Sequence, residues 1–185
     1  MAGIKNITIF ISLISSALFL SFGTRQDCAK KTKLILTGIG FDNYRIGLTS
    51  IQTIIADFGN DFKKVEHNGY STELLYKNFG LSFYYYPEVS DTIFGIDFFY
   101  PFSGTTDKGI TLNESTMVDV ELAHGSLDWY ISKPFFEWFS EYPGIEYAVP
   151  RDTTKPTFPM DEEFYKKLKI SRIVVLDNIE NFDKE

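Results

Sequence analysis

Residues 47–60, GLTSIQTIIADFGN, followed by residues 73–86, ELLYKNFGLSFYYY, decide how this chain reads. In the first stretch Leu48, Ile51, Ile54, Ile55 and Phe58 recur at three- and four-residue spacing, which aligns them along one helical stripe. Thr49 or Ser50 offers a side-chain oxygen to the first turn, and Gly59 with Asn60 supplies the left-handed stop. In the second stretch Leu81, Phe83 and Tyr85 alternate with Ser82, Tyr84 and Tyr86, the period of a strand. Asn78-Phe79-Gly80 joins that strand to an earlier one over Glu73 to Lys77 as a short hairpin, and Pro87 ends it. A third strand, Ile93 to Tyr100, sets Phe94, Ile96, Phe98 and Tyr100 against Gly95, Asp97 and Phe99 and stops at Pro101.

The same order is written again further on. After a Ser-, Gly- and Thr-rich linker at 102–108, Gly109-Ile110-Thr111 opens a segment in which Asn113 or Ser115 caps a helix carrying Met117, Val118, Val120 and Leu122, closed by His124-Gly125. Phe135 to Phe139 matches the first strand, Pro143-Gly144 the turn, Ile145 to Val149 the second strand and Ile170 to Leu176 the third. Gly59 and Gly125 lie 66 residues apart and Gly80 and Gly144 64 apart, whereas Ile96 and Ile173 lie 77 apart, so the register holds until an insertion. That insertion is 150–166, with Pro156, Pro159 and the acidic Asp161, Glu162 and Glu163, and a loop of such length in a compact domain is usually functional or loosely ordered. The expected class is therefore α+β, with two pseudo-repeats over 46–101 and 109–177. Each has a helix packed on an antiparallel sheet of three to four strands.

Residues 1–23 read as a cleaved export signal: Lys5, an uncharged run from Ile7 to Phe22, and small residues Ser21 and Gly23 before the cut. A leader and extended arm occupies 24–45, and an acidic tail 178–185 closes the 185-residue chain. The expected location is periplasmic or extracellular, with no stable transmembrane anchor once the signal is gone. Cys28 is the single cysteine, so no intrachain disulfide forms. Asp27 and Arg25 occupy the positions where a lipidation site carries a small and an apolar residue, so Cys28 reads as an unmodified thiol. The net charge of −7 becomes −8 when Lys5 leaves with the signal, and the basic runs at Lys30-Lys31 and Lys166-Lys167 are short. Nucleic acid is excluded as a partner, because phosphate binding needs clustered cations.

Gly47-Leu48-Thr49, the apolar helix, Asp57-Phe58-Gly59-Asn60, the Tyr76-x-x-x-Gly80-Leu81-x-Phe83 hairpin and a strand ending at Pro101 resemble a known module. It is similar to the helix-plus-antiparallel-sheet unit of the small outer-membrane-assembly lipoproteins, which occurs in tandem in the beta-lactamase inhibitory proteins. The resemblance implies the fold and a habit of binding proteins through the sheet, with no binding residue carried over. Those families often place a Pro shortly after the helix-ending Gly, where this chain has Asp61 and Leu127.

Chemistry is hard to find in the residues. His67 and His124 are the only histidines, and a metal or acid/base role needs one of them to converge with carboxylates such as Asp57, Asp61 or Glu121. No HExxH, CxxC or GxSxG is present, and Gly38-Ile39-Gly40 lacks the third Gly of a phosphate loop. Neither a cofactor nor a metal is expected, and no catalytic residue is assigned. Aromatic side chains are the better candidates. If Leu81, Phe83 and Tyr85 face the core, Tyr84 and Tyr86 project from the opposite face, and Phe136 and Trp138 project opposite Phe135 and Phe139, or the reverse. Tyr84, Tyr86, Phe136 and Trp138 are accordingly the expected partner-binding residues, since Tyr and Trp supply rigid contact area at interfaces. The competing reading is that helices and the sister repeat cover that face. The expected function is an exported, non-enzymatic protein-binding or envelope-associated protein, its partner another exported or envelope protein. The alternative is a secreted hydrolase acting on carbohydrate through dispersed carboxylates such as Glu137 and Glu141.

Overall fold

The computed structural model describes residues 33–67, 69–132, 137–155 and 159–177. The signal at 1–23, Cys28, Phe136, residues 156–158 of the insertion and the tail at 178–185 lie outside the described residues. Strands β1 (Lys33–Leu36), β2 (Gly40–Phe41) and β3 (Tyr44–Arg45) precede helix α1 (Ile51–Phe58). Strands β4 (Lys63–His67), β5 (Ser71–Tyr76), β6 (Leu81–Tyr85), β7 (Ile93–Phe99) and β8 (Gly104–Thr106) follow. After helix α2 (Met117–His124) come β9 (Trp129–Ser132), β10 (Glu137–Tyr142), β11 (Ile145–Pro150), the short helix α3 (Glu162–Tyr165) and β12 (Arg172–Leu176).

The fold is α+β, and the described residues form two sheets. Eight strands form one antiparallel sheet in the order β4-β5-β6-β7-β12-β11-β10-β9, so the last strand of each four-strand run meets the other at the centre. The second sheet, β3-β2-β1-β8, is small, and its β1 and β8 run parallel.

Helix α1 forms where the apolar stripe predicts. The Thr53 N–H donates to Ser50 Oγ at 3.3 Å, and the Gly59 N–H donates to Ile55 O at 2.9 Å from a backbone with φ 80°. The stripe lies on the large sheet, with Phe58 centred 5.5 Å from both Tyr76 and Phe83. In α2 the cap is Thr116 rather than Asn113 or Ser115. A capping box needs an acceptor three residues on, and Asp119 Oδ2 accepts the Thr116 N–H at 2.7 Å. Ser115 Oγ instead accepts from the Thr111 N–H at 3.0 Å. Only Met117 and Val120 of α2 are buried, while Leu122 stands 82% exposed, so the buried stripe is narrower than its apolar residues imply.

Both helices and the small sheet cover the same face of the large sheet. Ile51, Ile54, Met117 and Val120 join Leu74, Phe83, Ile96, Phe98, Tyr147, Ile173 and Val175 in one core, and Phe41 of β2 seats edge-on against Phe98 and Phe102 at 5.2 and 5.4 Å. Two turns lock the layers together. Gly80 has φ 67°, and a Cβ there would sit 2.1 Å from Phe99 O. Gly144 has φ 77° and accepts the Gly38 N–H at 3.1 Å, which ties the small sheet to the β10–β11 turn.

Several boundaries differ from the sequence reading. The charged segment 63–67 is an edge strand, and β9 is a second edge strand not expected from the pattern. Residues 104–106 of the expected linker form β8, and the arm before α1 builds most of the small sheet. The insertion is shorter in effect, since β11 reaches Pro150 and α3 occupies 162–165.

Candidate functional site

Strand register assigns every side chain of the large sheet to one of two faces. Opposite the helices lie Val65 and His67 of β4, Glu73 and Leu75 of β5, Ser82 and Tyr84 of β6, and Gly95, Asp97 and Phe99 of β7. The second half contributes Arg172, Val174 and Leu176 of β12, Glu146 and Ala148 of β11, Glu137, Phe139 and Glu141 of β10, and Tyr130 and Ser132 of β9.

This face is concave. A cavity of about 230 Å3 is lined by His67 and Ser71 near one edge, Tyr130 and Ser132 at the other, and Tyr84, Phe94, Phe139, Glu146, Val174 and Leu176 between. On a flat sheet the outermost strands, seven spacings apart in this order, would be separated by roughly 34 Å. One small cavity touching both requires the sheet to roll toward itself. The roll explains why residues of the open face are buried without a helix above them: Asp97 and Ser82 are 0% exposed and Phe139 1%.

A polar ribbon crosses the floor. His67 Nε2 donates to Glu73 Oε2 at 3.1 Å, and Ser82 Oγ donates to Glu73 Oε1 at 2.6 Å. Ser82 stands opposite Asp97 in the ladder, and Asp97 is bound by the Arg172 guanidinium through Nη1. Arg172 Nε also donates to Glu137 Oε2 at 2.7 Å, and Ser171 Oγ donates to Glu137 Oε1 at 2.9 Å. Burial pushes the Asp97 carboxyl up to about 7 despite the opposing pull of Arg172. For Arg172 burial opposes the charge, but Asp97 and Glu137 more than offset it and its pKa rises. The charges in this ribbon are therefore mutually committed.

The cavity walls are aromatic. Phe94 sits at the irregularity between β6 and β7 and stacks on Tyr86 at 4.1 Å with an 11° interplanar angle, and Tyr84 tilts against it at 6.1 Å. Across the cavity Tyr130 stacks on Phe139 at 5.5 Å and 26°. Burial, followed by Glu146, drives the Tyr130 phenol far above its ordinary value, and burial raises the Glu146 carboxyl. Burial, followed by Asp97 and Glu73, does the same to Tyr84.

Of the expected partner-binding residues, Tyr84 reaches this face half-buried and Tyr86 is exposed at its rim. Phe136 lies outside the described residues. Trp138 is a correction: it is 2% exposed on the helix side, where its ring meets Tyr165 of α3 at 5.8 Å. The reverse assignment holds for β10, with Phe139 facing the open side and pairing across the ladder with Ala148 and Tyr130. Sequence reasoning missed Tyr130, Phe94, Glu146 and the ribbon residues Glu73, Asp97 and Arg172.

His67 meets Glu73, but the other candidate chemical groups do not converge. His124 Nε2 lies 3.0 Å from Tyr147 Oη and its ring stacks on Tyr142 at 4.5 Å, with burial lowering its pKa. Asp57 accepts from Tyr44 at 3.1 Å, Asp61 from Asn78 at 3.1 Å and Glu121 from Lys166 at 3.0 Å. Among the described residues, no set of three or more His, Asp and Glu could hold a metal ion. Glu137 and Glu141 are four residues apart on one strand, roughly 13 Å, wider than the ~5–9.5 Å that flanks a glycosidic bond. Among the described residues no helix is long and apolar enough to cross a membrane.

No protein-family model matches the chain, and no curated protein sequence matches it. Among solved structures the chain is similar to the DUF4309 family protein YjgB of Bacillus subtilis, at 14% identity and a TM-score of 0.48, covering 76% of this chain and 88% of that one.

Proposed function

We propose that this chain is an exported, non-enzymatic protein that binds another exported or envelope protein through the concave face of its large sheet. The observation that carries the reading is the aromatic-walled cavity on the face opposite the helices, where Tyr84, Phe94, Tyr130 and Phe139 meet beside a single acidic group, Glu146. Rigid aromatic rings set in a concave, water-poor surface are what interface hot spots are made of. Beneath them the ribbon from His67 to Glu137 fixes strand positions, which keeps the rings in place without adaptation on binding.

The same proposal extends to architecture and location. Each helix precedes a four-strand run, and the two runs are arranged symmetrically about the β7–β12 junction, which supports two copies of one helix-on-sheet unit. Export rests on the pattern of residues 1–23. N-terminal sequencing of the protein recovered from a cell envelope tests the cut after Gly23.

The binding test uses the triple substitution Tyr84→Ala, Tyr86→Ala and Tyr130→Ala, with circular dichroism and urea melts to confirm folding. Loss of partner capture from the envelope fraction is expected, with capture kept by Leu122→Ser on the opposite side. Unchanged capture by the triple variant rules this face out.

A further inference from the structure

From the cavity's walls and charges we infer that it is a socket for a lysine side chain of the bound partner, an inference that rests on the concave-face reading above.

Three observations lead there. The first is chemistry: Tyr84 and Phe94 form one wall and Tyr130 and Phe139 another, and aromatic faces attract a cation that enters between them. The second is charge. Glu146 lines the cavity and Glu141 is its cross-strand neighbour, while Glu73 and Asp97 on the same face are paired with His67 and Arg172 and add no net charge. Among the described residues the cations of this face are paired or distant: Arg172 is bound to Asp97 and Glu137, His67 to Glu73, and Lys63 sits at the far end of β4, opposite Leu75. The cavity therefore presents a negative field to whatever approaches, in a chain whose net charge is −7. The third is size. At about 230 Å3 the cavity is smaller than the ~300–1,000 Å3 of small-molecule sites and fits one long side chain. Val174 and Leu176 supply an apolar floor for a methylene stem, and Glu146 a carboxylate for an ammonium head.

The test titrates the full chain with two probes, Nα-acetyl-lysine N-methylamide and its uncharged counterpart Nα-acetyl-norleucine N-methylamide, following methyl and aromatic NMR signals of Val174, Leu176 and Tyr130. The expected result is saturable shifts with the lysine probe and none with norleucine at the same concentrations. Glu146→Gln, which keeps the shape of the side chain, should weaken the lysine probe roughly fivefold, and Tyr84→Leu by a similar factor. Raising salt from 50 to 500 mM should weaken it further. Equal binding of both probes overturns the inference, because the cavity is then merely apolar. So does no binding of either at tens of millimolar. Shifts that grow with protein concentration alone also overturn it, because a second copy then fills the site. If Glu146→Gln abolishes lysine binding but leaves partner capture intact, the socket fails as part of the interface while the sheet-face reading stands. If the triple tyrosine variant still captures the partner while the lysine probe saturates the wild type, the sheet-face reading fails instead.

Discussion

Replacing Arg172 with Met should leave a deficit in stability that grows with pH. Arg172 holds two carboxylates, Asp97 at 0% exposure and Glu137, across the join between the two four-strand runs. Removing one partner of a buried ion pair costs about 3–5 kcal/mol, because the remaining charge has no water to turn to. The sign follows from Asp97. Its pKa is about 7 in the fold against 3.8 unfolded, so in the wild type the protonated carboxyl is favoured by folding. The stability it contributes is present below pH 3.8 and lost as pH rises to about 7, a change of roughly 4 kcal/mol. Without Arg172 the carboxyl keeps its proton above pH 7, where the wild type releases it. The deficit of the variant should therefore be flat below pH 7 and grow by about 1.4 kcal/mol per unit above it. A deficit of about 3–5 kcal/mol at pH 9 would fall by about 2.7 kcal/mol at pH 7. Urea unfolding at pH 6, 7 and 9 measures this, with Arg172→Met/Asp97→Asn as the control that should recover most of the loss. A deficit below about 1 kcal/mol at pH 9, or one independent of pH, refutes the reasoning.

Three further outcomes follow from particular residues. Gly80→Ala should destabilise by roughly 2–4 kcal/mol by urea denaturation, because its Cβ would lie 2.1 Å from Phe99 O at φ 67°, whereas Gly59→Ala, at φ 80° in open space, should cost only about 1 kcal/mol. Trp138→Ala should cost about 3–5 kcal/mol in thermal or urea melts, and Tyr86→Ala at the rim less than about 1 kcal/mol, which separates the buried ring from the exposed one. Thr116→Ala should lose about 1 kcal/mol by urea denaturation, by breaking the capping box with Asp119.

Much of the scaffold was legible because its signals are local. The stripe in 48–58, its Ser and Gly caps, and the turns at Gly80 and Gly144 each need only neighbours in sequence, and α1, β6, β7, β11 and β12 fall close to the residues the pattern marks. Edge strands were harder, since β4 reads Lys63-Lys64-Val65-Glu66-His67 and owes its strand state to pairing with β5 rather than to apolar alternation. Alternation defines two faces of β10 but not which of them meets the helices, so Trp138 and Phe139 were open to exchange until the ladder with β11 and the contact with α3 fixed them. The ribbon was beyond local reading altogether: Asp97 and Arg172 are 75 residues apart, and each looks like an ordinary surface charge until the strands that carry them become neighbours.

The most direct test of a concave binding face is a comparison of three proteins on the same envelope fraction: wild type, the Tyr84→Ala/Tyr86→Ala/Tyr130→Ala variant, and Leu122→Ser on the helix side. The prediction is one captured species, retained by wild type and Leu122→Ser and lost from the triple variant while all three remain folded at the assay temperature by circular dichroism. Equal capture by the triple variant, or loss in Leu122→Ser alone, would contradict it.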